Sequence, residues 1–470
     1  MILPENITSL DREALLALVA EQQRQIAELT ARIEALQAEI ERLKRGSKGQ
    51  AAPFSKGKRV DKPKRPGRKP GSGTFRFRQA PRPDQITEPP VEVKVSIETC
   101  PDCGGKLEEE RVDFAYQTDI PPIPRPKVTQ YRVSVCRCRA CGKQVRGQHP
   151  QVAPDQYGAT AHRVGDRTMA AAHSLHYGAG IPVRKVPAVL EILTGVELTQ
   201  GAITQDALQQ AQGKIGEIYE GLRAGVPQSS SVHTDDTGWR VGGEPAFLMA
   251  FETEKATVYQ IRPRHRHQEV QEVIPPDYGG VMVTDRGRSY DDRSFNAVAQ
   301  QKCLSHILQS VSSVLEVQKG RARDFGELLK ELLQEAIGVW RAYHAGEVTD
   351  FASRAQRVKE EITYHLRDRF LKNPDNRRLL KQLGSHHARG NLLRFLDDPR
   401  IEPTNNRAER ALRPAVIARK VSQCSKNRPG AYAFSAFTSV VRTLAKNGFH
   451  AVVEGLYLIF LSARTQRASP

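Results

Sequence analysis

The forty residues from Lys44 to Pro83 carry a single acid, Asp61, among many lysines, arginines, prolines and glycines. Such a stretch cannot bury enough apolar surface to offset the entropy lost on ordering it. It rules out one continuous globule and divides the chain into separately folded parts. Its charge density exceeds what a tether needs. The run "KRPGRKP" suits an arm that neutralises phosphates along a narrow groove, with Lys64, Arg65, Arg68 and Lys69 as candidate contacts. The plain alternative is a solvated linker.

The same sign of charge runs through the whole chain. Its 470 residues hold 71 Lys and Arg against 53 Asp and Glu, a formal net charge of +18. A polyanion partner follows, nucleic acid first and an anionic membrane surface second. No apolar run reaches the ~18 residues of a spanning helix. The longest, "AVVEGLYLIFLSA", contains Glu454. The first residues lack a basic-then-apolar leader, so a cytoplasmic location is expected. The length suits about three domains.

Ahead of the basic stretch the residues repeat in sevens. Val19, Ile26, Ile33 and Ile40 are evenly spaced, and Leu29, Leu36 and Leu43 each follow three residues later. Gln22 interrupts the leucine positions once. β-branched residues alternating with leucine in this register predict a parallel coiled coil over residues 8–45, and with it a homodimer or higher oligomer.

After the basic arm, assigned to residues 46–85, five of the seven cysteines fall between Cys100 and Cys141. Cys100 and Cys103 form one Cys-x-x-Cys pair, Cys138 and Cys141 another, and a glycine follows each. Four thiolates suit a closed, structural Zn²⁺ site. The 34 residues between the pairs exceed the commoner spacing. A DNA-binding zinc ribbon over 86–155 with an inserted hairpin accommodates them. Cys136 is a spare thiol that can replace one ligand. Buried free cysteines are the alternative.

Residues 156–228 turn helical. "IPVRKVPAVLEILTGVELTQGAITQDALQQA" reads as helix, turn at Thr194-Gly195-Val196, and helix capped by Thr199. This fits a helix-turn-helix or an ordinary helical hairpin, and Pro187 weakens the first helix. Residues 229–307 change to strands. "SVHTD" and "GWRVGG" are expected as two strands separated at Thr237-Gly238, followed by "AFLMAFETEKATVYQIRP" in a meander. A helix at "QEVQEVIPP", a buried strand ending at Asp285, and a strand running into a helix at "SFNAVAQQKCLSHILQSV" then predict a multidomain α/β or α+β core. Residues 308–398 look helical and charged, and 399–470 helical again. Trp239 and Trp340 are expected in cores.

Two strands thus end in acids, Asp235 and Asp285, and a third acid lies in "NNRAERALR". Asn405, Glu409 and Arg413 share one helix face, overlapped by Asn406, Arg410 and Arg413. If the strands are neighbours, Asp235, Asp285 and Glu409 form an oxygen-rich site for Mg²⁺ or Mn²⁺, flanked by phosphate clamps that include Arg419 and Lys420. Two such ions suit phosphodiester chemistry. Singly, each acid is also a common turn or surface residue. Asp236 neighbours Asp235 on the opposite strand face, so only one of them reaches the ions.

"TDDTGW", "VTDRGRSY", "CLSHILQ" and "NNRAERALRP…RK", in that order, resemble the DDE transposases of the insertion sequence sixty-six family. The likeness runs from about residue 15 to 460 and is most specific at "NNxxERxxRP". It implies a ribonuclease-H-like catalytic core with a helical insertion before the last acidic helix, and Asp235, Asp285 and Glu409 as the metal-binding triad. It also implies double-stranded DNA partners, the element's ends and a target, and accessory proteins of the same element. The chain departs from the family in having Asp236 where glutamate is usual and no arginine pair after His306. His306 is left as a DNA-backbone contact, a neighbour of the ligands or a structural histidine. The expected activity is metal-dependent strand cleavage and 3′-OH transfer. The alternatives are a dimeric, zinc-containing DNA-binding regulator without catalysis, and a metal-dependent nuclease that does not join.

Overall fold

A computed structural model describes residues 11–47, 80–89, 91, 97–108, 111–117, 126–149, 151–153, 155–448 and 450–468. The candidate contacts Lys64, Arg65, Arg68 and Lys69 lie outside the described residues. The chain divides into two compact units. One comprises Met1–Ser55, Gln130–Val189 and Glu197–Pro470, the other Lys56–Thr129 with Leu190–Val196.

The heptad segment is a single helix, α1 (Arg12–Ser47). Val19, Ile26, Leu29, Ile33 and Leu36 are each at least half exposed, so these five side chains are not packed on the described residues of the chain. Each cysteine pair makes a tight knuckle of the same design. Cys100 N–H donates to Gly105 O at 2.8 Å and Gly104 N–H to Cys100 O at 2.9 Å. Cys138 N–H donates to Lys143 O at 2.8 Å and Gly142 N–H to Cys138 O at 2.9 Å. Gly104 and Gly142 have φ of 74° and 73°, a left-handed turn that a side chain would strain. Strands β1 (Val135–Arg137) and β2 (Gln144–Arg146) pair antiparallel around the second knuckle. The first knuckle belongs to the smaller unit and the second to the larger.

Helices α2 (Asp166–His173), α3 (Val186–Thr194), α4 (Gln200–Gln212) and α5 (Lys214–Gly225) follow. Pro187 falls in the first turn of α3, where its missing N–H has no helical partner to lose. Thr199 caps α4 by accepting from Ala202 N–H at 3.2 Å.

The core of the larger unit is a five-stranded sheet of β3 (Ser231–Val241), β4 (Glu244–Glu252), β5 (Thr257–Arg262), β6 (Val281–Thr284) and β7 (Ala299–Lys302), in the order β5-β4-β3-β6-β7. β3, β4 and β5 pair antiparallel, whereas β3, β6 and β7 run parallel. Short α6 (His267–Gln271) lies between β5 and β6. The expected break at Thr237-Gly238 is absent. β3 continues through it because β4 pairs without interruption from His233↔Glu252 to Val241↔Glu244. Cross-strand pairing overrides the turn signal that Thr-Gly carries in isolation. The turn comes at Gly242 and Gly243, both with positive φ.

After β7 come α7 (Leu304–Val317), α8 (Asp324–His344), α9 (Phe351–His365), α10 (Pro374–Ala388) and α11 (Arg394–Asp397). Then follow α12 (Asn406–Ser422), α13 (Arg428–Leu444) and α14 (His450–Ala468). Alternation along the strands separates two cores. Val232, Met249, Phe251, Val258 and Met282 pack with Ile215, Tyr219, Phe437, Val440 and Phe460. On the opposite face Trp239, Leu248, Ala250 and Tyr259 pack with Ala411, Leu412 and Ala415 of α12. α7 to α11 form a third core, joined to the sheet through Val283.

The edge strand β5 is covered rather than left open. Tyr259 N–H donates to Ser439 Oγ at 2.8 Å and Thr257 N–H to Thr443 Oγ1 at 3.1 Å, both on α13. Hydroxyls supply the partners that another strand would otherwise find.

Candidate active site

Asp235 stands in the middle of β3, not at its end as the sequence suggested. It is where β3 outruns its parallel neighbour: pairing with β6 covers only Ser231 to His233. The register places Asp235 across from Ala250 and Asp236 across from Met249. Asp235 therefore shares the sheet face packed by α12, and Asp236 the other face. Asp236 is engaged there by His265, Nδ1 to Oδ1 at 3.0 Å.

Asp285 directly follows β6 and is fixed by a turn. Gly287 N–H donates to its Oδ1 at 2.7 Å. A Cβ on Gly287 would fall 2.8 Å from that oxygen and 3.3 Å from the Tyr290 ring, so the approach requires glycine. Lys302, completely buried at the end of β7, braces the same loop. Its Nζ lies 2.8 Å from Asp291 Oδ1 and donates to Thr284 Oγ1 at 3.1 Å. Burial holds the Lys302 ammonium below its usual pKa, against the opposing pull of Asp291.

Glu409 sits in the first turn of α12. That helix is docked at its N-cap. The side-chain amide of buried Asn405 donates to Thr234 O at 2.8 Å, and its backbone N–H donates to Cys303 Sγ at 3.1 Å. Farther along, Arg419 donates to Thr237 Oγ1 at 2.8 Å and also to Gly238 O. Asn405 and Arg419, read from sequence as phosphate contacts, are thus bonded to β3 and hold the helix against the sheet. Asn406 is partly exposed, and Arg410, Arg413 and Lys420 are exposed.

The three acids meet electrostatically. Burial pushes Asp235 up to about 7, and the charges of Asp236, Asp285 and Glu409 add to the shift. A carboxylate so placed favours a nearby cation. His306, in the first turn of α7, brings Nε2 to 3.6 Å from Glu409 Oε1. The adjoining Cys303 thiol pushes His306 up to about 9, aided by Glu409 and Asp285. Asp285, Arg286, His306, Gln309, Ser310 and Ser313 line a cavity of about 330 Å³. A second hollow of about 300 Å³ is lined by Arg407, Arg410, Arg442 and Lys446 together with Glu252.

Residues 162–433 match the profile described as the Transposase IS66 family, more than half of the chain. The chain belongs to this family. No curated protein matches it. Family membership carries transposase function in general and, with it, DNA binding. The matched residues include all three acids. No helix among the described residues is long and apolar enough to cross a membrane.

Sequence reasoning missed Lys302, His265 and the docking of Asn405. A lone lysine in "AVAQQK" carries no local signal; only the tertiary pairing with Asp291 marks it. Cys303, a lone cysteine far from the paired ones, has no role assigned from sequence, because its approach with His306 to Glu409 spans about a hundred residues of chain.

Proposed function

We propose that this transposase cleaves the ends of its element and joins the freed 3′-OH to target DNA, with Asp235, Asp285 and Glu409 as the ligands of Mg²⁺ or Mn²⁺. The observation that carries the reading is the convergence of three acids from β3, the β6 loop and α12, where burial pushes Asp235 up to about 7 and the charges of Asp285 and Glu409 add to the shift. The donors are carboxylate oxygens, the hard ligands these ions prefer. Bound there, divalent ions supply Lewis acidity to a phosphodiester and lower the pKa of an attacking water.

The chain's own residues provide the rest. The Gly287 N–H holds one Asp285 oxygen and leaves the other for a ligand role. Asn405 sets the start of α12 so that Glu409 faces the sheet. His306, charged at neutral pH, offers a cationic donor beside Glu409 for a phosphate oxygen. Arg410, Arg413 and Lys420 on α12 contact the DNA backbone, joined by Asn406 and the arm residues Lys64, Arg65, Arg68 and Lys69.

The strand order supports a ribonuclease-H-like core at 229–307 and 399–470, with 308–398 as its helical insertion. Each knuckle by itself has the form of half a zinc site, Cys100 with Cys103 in one and Cys138 with Cys141 in the other. Donated backbone N–H groups, from Asp102 and Cys103 in one knuckle and Cys141 and Ala140 in the other, hold Cys100 and Cys138 below the ordinary thiol pKa. The exposed stripe of α1 supports a coiled-coil dimer, and 156–228 a helix-turn-helix-like domain that reads the ends.

The test is cleavage and joining of labelled element-end DNA with Mg²⁺ or Mn²⁺. Joined products support the reading. Nicks without joining favour a nuclease, and tight binding without cleavage, even with the element's accessory proteins added, favours a regulator.

A further inference from the structure

Among the described residues, Cys303, His306 and Glu409 offer one ligand atom each, all within 4.8 Å of one another. The arrangement is built by two helix starts. Cys303 precedes α7 and His306 lies in its first turn, so the pair sits on one side of that helix start. The first turn of α12 brings Glu409 to them, and the Asn405 N–H bond to Cys303 Sγ at 3.1 Å locks the two starts together.

The chemistry of this set differs from that of the three acids. A thiolate and an imidazole are donors that Mg²⁺ does not select, whereas Zn²⁺ and similar ions take sulfur, nitrogen and carboxylate oxygen together. Three protein ligands leave one position open. The cavity bounded by His306 and Asp285 gives access from solvent. The backbone N–H donated to Cys303 Sγ is the kind of outer contact that orients a metal thiolate. Glu409 belongs to both sets, and a cation held by Cys303 and His306 would draw its carboxylate toward α7.

We propose that Cys303, His306 and Glu409 form a site for a thiophilic divalent cation such as Zn²⁺, and that filling it withdraws Glu409 from the Mg²⁺ set and blocks strand cleavage. Binding displaces the thiol proton of Cys303 and any proton on His306 into solvent. The inhibitory half rests on the assignment of Glu409 to the Mg²⁺ set; the binding half does not.

The test uses the full-length protein and Cd²⁺ as a spectroscopic substitute, read by cadmium NMR. Thiolate-only sites at the cysteine pairs resonate apart from a mixed sulfur, nitrogen and oxygen site. The expected result is a mixed-ligand resonance in the wild type that is lost in both Cys303→Ser and His306→Gln. Two variants are used so that misfolding of one, seen by circular dichroism, leaves the other to decide. No mixed-ligand resonance, or one that persists in both folded variants, overturns the proposal. In parallel, Zn²⁺ inhibition of Mg²⁺-dependent cleavage is measured against each protein's own uninhibited rate. It should require about tenfold or more higher Zn²⁺ in Cys303→Ser; equal sensitivity overturns the inhibitory half. A mixed-ligand resonance in a protein that never cuts DNA supports the metal site and counts against the Mg²⁺ assignment alone.

Discussion

The side-chain amide of Asn405 donates to the backbone oxygen of Thr234 at 2.8 Å, one residue before Asp235. This buried bond, together with those of Arg419 farther along, ties the helix that carries one acid to the strand that carries another. Asn405→Ala should leave DNA binding unchanged, lower stability by about 1–3 kcal/mol and reduce cleavage more than that loss of folded protein explains. Denaturant titration alongside cleavage at saturating DNA checks it. Unchanged cleavage would separate Asn405 from the site.

Gly287 gives a sharper probe, since its substitution touches only one acid. In Gly287→Ala the new methyl has to displace Asp285 Oδ1 or the Tyr290 ring. Cleavage should fall at least about tenfold while the melting temperature moves by only a few degrees. Cleavage kinetics with a thermal melt of the same sample decide this.

How much of this was legible beforehand follows from where each signal lives. Asp235, Asp285 and Glu409 stand in local patterns of strand, turn and helix face, so their candidacy could be read directly. The continuity of β3 could not, because Thr237-Gly238 looks like a turn until β4 lies beside it. Nor could the bonds of Arg419: exposed arginine on a helix face and arginine bonded to Thr237 have the same sequence. The heptad was legible because its period needs no tertiary context. The bracing of the β6 loop by buried Lys302 depends on partners eleven and eighteen residues upstream, Asp291 and Thr284.

The exposed stripe of α1 predicts self-association. Ile26 and Ile33 are more than half exposed. Ile26→Asp with Ile33→Asp should convert a dimer or higher oligomer to monomer and leave the cores intact. Light scattering after gel filtration measures the mass; an unchanged mass would assign oligomerisation to another surface.

His176 predicts a pH dependence. Burial holds its pKa below the ordinary value of 6.5, while its Nδ1 contacts Ile181 O at 2.8 Å. The folded state keeps the imidazole neutral where the unfolded chain takes up a proton. Its contribution is therefore complete above the unfolded pKa and is lost as pH falls below about 6.5, by at most about 1.4 kcal/mol per pH unit. Urea midpoints between pH 7 and pH 5 should drop in the wild type and drop less in His176→Gln. Equal slopes would remove His176 from the balance.

The most direct measurement is Mg²⁺-dependent cleavage and joining of element-end DNA by wild type and Glu409→Gln at equal DNA occupancy. The substitution keeps shape and removes one charge from the three-acid set. The wild type should give products and Glu409→Gln none above background, with DNA affinity unchanged. Equal product yields from both proteins would contradict this and remove Glu409 from the metal site.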